Sequence, residues 1–101
     1  MKPEKVAIII REPNNQWEGL RSSLGLGVEM IDTHAFVIGE VNMPVDRVEG
    51  FKENLEYLKD DLEAHIYTDN QANVEKWGFI EYLSLDDMAK KMSEYDLIIP
   101  F

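Results

Sequence analysis

Side chains able to do chemistry are few in this chain, and they are scattered. It contains no cysteine, which removes every reaction that needs a thiolate nucleophile. His34 and His65 both fall in short apolar runs, with no Cys, His or carboxylate at recognisable ligand spacing, so they read as structural and no metal site is expected. The adjacent pairs Asp60 with Asp61 and Asp86 with Asp87 diverge on helices and read as solvated surface. The run Leu24-Gly25-Leu26-Gly27 lacks the Lys and Ser/Thr of a phosphate loop and lies inside a helical pattern. No nucleophile stands beside a base, so no catalytic constellation is legible, and no cofactor is implied. What remains is three loops, at residues 11–15, 39–42 and 68–70, which offer a guanidinium, carboxylates and amides. Taken singly they read as turns and caps. Together, at the carboxyl ends of parallel strands, they would form a site. Arg11, Glu12, Asn15 and Asn42 are the candidates for holding a small anionic ligand. Asp69, Glu12 or His65 could act as an acid or base only if desolvated in a cleft.

Strands must precede those loops, and the sequence supplies five candidates. Residues 6–10 (Val-Ala-Ile-Ile-Ile) form an unbroken β-branched run, the pattern of a central parallel strand buried on both faces. Further candidate runs at 34–38, 64–67, 79–83 and 96–101 follow. Between them lie helical stripes: Trp17, Leu20, Leu24, Val28 and Ile31, then Val48, Phe51, Leu55, Leu58 and Leu62, and later Leu85, Met88, Ala89 and Met92. Asn15 with Glu18, Asp46 with Glu49, and Ser84 with Asp87 have the form of helix-opening caps. Residues 68–73 lead into a short helix that Gly78 should end. Gly19, Gly25 and Gly27 weaken the first helix, and close packing on the sheet would be a reason to keep them. Strands alternating with helices give an α/β fold: three layers, α/β/α, around a mostly parallel five-stranded sheet, flavodoxin-like in outline.

With 101 residues, residues 1–101 make one domain. Hydrophobic residues at 45% and charged residues at 30% are the balance of a folded protein. Twenty acidic against ten basic residues leave a net charge of −10 with no basic stripe, which argues against nucleic acid as a partner. The same charge disfavours an anionic membrane surface, and no apolar run approaches the roughly 20 residues of a membrane span. No signal peptide is legible, and a cytoplasmic location is expected.

The order of these elements resembles the DsrE/DsrF/DsrH-like family of sulfur-relay proteins, small α/β domains that work as oligomers. The likeness rests on the opening Val-Ala-Ile-Ile-Ile strand, the helix with Leu20-Arg21-Ser22-Ser23-Leu24-Gly25-Leu26 and the Phe36-Val37-Ile38-Gly39 strand. The segment from Tyr67 to Gly78 and the closing Tyr95-Asp96-Leu97-Ile98-Ile99-Pro100-Phe101 complete it. In active members a cysteine after the third strand carries sulfur as a persulfide, and counting back from Gly78 places Asn70 there, with Thr68 and Asp69 beside it. None of the three can hold a persulfide. The resemblance therefore implies a non-catalytic member: a structural or regulatory subunit, in a homo-oligomer or beside related subunits, that docks a sulfur-carrier protein. The alternative is a small-molecule or anion-binding module using the loops at the strand ends.

Overall fold

A computed structural model describes residues 4–101. Five strands form one sheet: β1 (Lys5–Ile10), β2 (Asp32–Val37), β3 (His65–Thr68), β4 (Glu81–Tyr82) and β5 (Leu97–Pro100). Their spatial order is β4-β3-β2-β1-β5, and every neighbouring pair is parallel. The layering of a flavodoxin is kept with a different strand order, since flavodoxins run 2-1-3-4-5. The chain steps in one direction from β1 to β4, then crosses back to place β5 on the other side of β1. Right-handed crossovers put helices on opposite faces for opposite directions of travel. Accordingly α1 (Gln16–Val28), α2 (Val48–Glu56) and α3 (Gln71–Trp77) cover one face, while α4 (Leu85–Lys91) lies on the other.

The alternation of side chains along each strand divides the core in two. Val6, Ile8 and Ile10 of β1, with Ala35 and Val37 of β2, pack against Leu20, Phe51, Leu55 and Trp77 on the three-helix face. Ala7 and Phe36 point the other way, against Met88 of α4. The expected stripe of α2 is realised: Phe51, Leu55 and Leu58 are buried and Val48 and Leu62 pack partly against the core. After Glu56 the helix widens into a π-turn, Tyr57–Asp61.

Helix α1 keeps most of its expected stripe, with Leu20 buried and Trp17, Leu24 and Ile31 packed partly against the core. Its buried residues are Gln16, Gly19, Leu20 and Ser23, and Val28 is 56% exposed. A Cβ at Gly19 would lie 2.6 Å from Ile10 Cγ1, so the helix seats this glycine on β1, the close packing expected of it, while Val28 closes the helix at its exposed end. Gly27 likewise faces Leu62, whereas Gly25 has nothing within 4 Å.

Caps also divide. Ser84 and Asn70 have extended backbones and accept from Asp87 N and Ala72 N respectively. Asn15 and Asp46 make no side-chain cap bond, because 3-10 turns (Pro13–Asn15 and Val45–Arg47) run directly into α1 and α2. A residue already in a helical turn lacks the extended backbone that aims a capping oxygen at the helix donors.

Candidate functional site

The carboxyl ends of the strands carry the three loops singled out from the sequence, and two buried amides hold them in register. Gln16, 3% exposed at the first position of α1, donates from Nε2 to Glu40 O at 3.1 Å. Its Oε1 accepts from Asn42 N at 3.0 Å. Asn73, 1% exposed in the first turn of α3, works from the opposite side. Its Oδ1 accepts from Val41 N at 2.8 Å, and its Nδ2 donates to Gly39 O at 2.8 Å and to Thr68 Oγ1 at 2.9 Å. The loop at 39–42 is thus clamped between the loops after β1 and β3. Neither amide stood out in the sequence; the only signal was a polar residue in the first turn of each helix.

Thr68, Asp69 and Asn70 belong to this clamp. The Thr68 hydroxyl is fully buried and accepts from Asn70 N at 3.2 Å as well as from Asn73. Asp69 Oδ1 accepts from Gly39 N at 2.8 Å, and Asn70 Oδ1 accepts from Ala72 N at 2.9 Å. Each of the three side chains therefore spends an oxygen on the fold itself.

Arg11, Glu12 and Asn15 are brought together, with Glu18, Pro100 and Phe101, around an open groove of about 550 Å³. It lies where the strand order changes direction, with β2 on one side of β1 and β5 on the other, the usual place for a ligand in a parallel sheet. Asn42 is not part of it; it is exposed in the neighbouring loop, its backbone N–H bonded to Gln16. Arg11 also lines a second, mostly apolar cavity of about 380 Å³ between α4 and the sheet. No side-chain hydrogen bond or ion pair engages its guanidinium among the described residues. A further cavity of about 550 Å³, lined by Gly27, Tyr57, Asp61 and Leu62, opens beside the start of β2 and away from these loops.

The two histidines lie on the α4 face of the sheet, in an aromatic cluster that the sequence did not foreshadow. His34 is 5% exposed. Its Nδ1 is 2.7 Å from the Tyr95 hydroxyl and its Nε2 is 3.1 Å from Asp32 Oδ1. A neutral ring with its proton on Nε2 satisfies both bonds, accepting from Tyr95 and donating to Asp32. His65 is exposed, its ring 4.6 Å from that of His34. Burial holds the His34 imidazole below its ordinary value of 6.5; Asp32 opposes the shift, and His65 and Lys5 reinforce it. Burial raises the Tyr95 phenol, and the neighbouring Tyr67 adds to that. His34 thus ties β2 to Tyr95, just ahead of β5, and neither residue lines the three cavities described above. Among the described residues no group of three His, Cys, Asp or Glu could hold a metal ion, and no helix is long and apolar enough to cross a membrane.

No family model, curated protein or solved structure matches this chain.

Proposed function

We propose that this chain is a non-catalytic, DsrE-like protein that serves as a structural or regulatory subunit of an oligomeric assembly related to sulfur relay. One observation carries the reading. At the turn where the resemblance would put a sulfur-bearing cysteine, Thr68, Asp69 and Asn70 each commit an oxygen to hydrogen bonds within the fold. A chain without cysteine cannot accept sulfur covalently, so its contribution is to hold or to regulate a partner that does. The test is to mix the purified chain with persulfide-carrying sulfur-transfer proteins and follow complex formation by sedimentation. A defined complex is expected, and failure to bind any of them in an otherwise folded preparation contradicts the reading.

A second reading, a module that binds a small anion at the strand ends, is favoured by the Arg11 guanidinium, which has no side-chain partner among the described residues and is shared by two adjoining cavities. Calorimetric titration with acetate and with inorganic phosphate tests it. Saturable binding that Arg11→Ala removes is the expected result, and binding unaffected by that change counts against it.

A further inference from the structure

The apolar cavity beneath α4 carries the anion-binding reading to a class of ligand. Its floor is the sheet, through Ile9, Phe36 and Ile38, and Leu85, Met88 and Met92 form the opposite wall of what is a half-open space. At about 380 Å³ it sits toward the lower end of the roughly 300–1,000 Å³ of small-molecule sites. Its lining is apolar apart from Arg11, an exposed cation with no side-chain partner among the described residues. Methionines make an adaptable wall, because the unbranched thioether chain refits at little cost. A ligand that fills this space must be mostly apolar and must offer one negative group to the guanidinium.

The adjoining groove limits that charge to one. Glu12 and Glu18 line it together with Arg11, and the chain as a whole carries −10, so a polyphosphate or a dicarboxylate would meet carboxylates as soon as it met the arginine. We infer that the cavity between α4 and the sheet binds small monocarboxylates with an apolar tail, the carboxylate on Arg11 and the tail against Phe36 and Met88. This rests on the anion-binding reading above and adds to it the tail, the second cavity and the limit of one charge.

Octanoate is the probe, with acetate, inorganic phosphate and 1-octanol as controls, in a two-dimensional amide NMR titration of the intact chain. Octanoate should bind at least tenfold more tightly than acetate or phosphate and should shift the amides of Ile9, Phe36 and Met88. Arg11→Ala should weaken octanoate about tenfold or more, the effect of losing one charge-assisted hydrogen bond. Ala89→Trp, which adds bulk at the cavity from an exposed position, should abolish octanoate binding while the rest of the spectrum keeps its dispersion. Octanol binding as tightly as octanoate would overturn the carboxylate. Acetate or phosphate binding through Arg11, with octanoate no tighter, would overturn the apolar tail and leave the anion reading standing. No binding by any of the four would overturn both.

Discussion

Replacing Asn73 with Ala should be among the most damaging polar substitutions in the chain. The side chain is 1% exposed and makes three hydrogen bonds, to Val41 N, Gly39 O and Thr68 Oγ1. Truncation leaves them unequally stranded. Val41 is itself 1% exposed, so its N–H loses its acceptor out of reach of water, at about 1–3 kcal/mol. Thr68 Oγ1 keeps the bond from Asn70 N and Gly39 is only partly buried, so those two losses add about 1 kcal/mol each. Alanine recovers about half a kcal/mol through better helix propensity, leaving a net cost of about 2.5–4.5 kcal/mol. Asn70→Ala is the control. It removes one cap bond at the edge of the same turn and should cost about 1 kcal/mol. Urea unfolding followed by far-ultraviolet circular dichroism gives both values, and hydrogen exchange should show the Val41 amide exposed in the Asn73 variant alone. If Asn73→Ala costs no more than Asn70→Ala, the clamp is not what holds the loop at 39–42, and the structural reading of the 68–70 turn loses its basis.

Other expectations follow from the same packing. Because the folded His34 pKa lies below the unfolded value of 6.5, the unfolded chain binds more protons as pH falls through that range. The contribution is therefore present above the unfolded pKa and lost as pH drops toward the folded one. His34→Leu should flatten the dependence of unfolding free energy between pH 7 and pH 5, and an unaltered slope would place the effect elsewhere. Gly19→Ala should destabilise by about 1–3 kcal/mol through overpacking on Ile10, whereas Gly25→Ala, with open space around it, should stabilise by up to about 1 kcal/mol. Thermal melts of the two variants should move in opposite directions. Tyr95→Phe should cost about 1 kcal/mol for the lost bond to His34, measured by urea unfolding at pH 7.

The layers were legible in the sequence because the strands are buried on both faces and the helices on one. The unbroken β-branched run at 6–10 is the pattern of a central strand, and the spacing from Val48 to Leu62 is that of a helix with one buried face. Strand order was not legible, since nothing local to residues 97–100 says that they return beside β1 instead of continuing past β4. The α1 stripe held apart from Val28 at the helix end, whereas the burial of Gln16 and Ser23 in the same helix had no apolar signal. Two of the three long-helix caps failed because their side-chain pattern does not reveal a preceding 3-10 turn. Of the candidate site, the grouping of Arg11, Glu12 and Asn15 followed from placing a loop after a strand. The clamp by Gln16 and Asn73 did not, since long-range hydrogen bonds leave no periodic trace. Nor did the cavity beneath α4, whose lining residues are, in sequence, ordinary core.

That this chain acts as a subunit is the claim on which its proposed role depends, and its mass in solution tests it most directly. Light scattering coupled to size exclusion, run over a hundredfold range of concentration, should report a stable multiple of the 11.7 kDa chain, alone or with a related subunit added. A mass of one chain at every concentration, with or without such a subunit, would contradict the account.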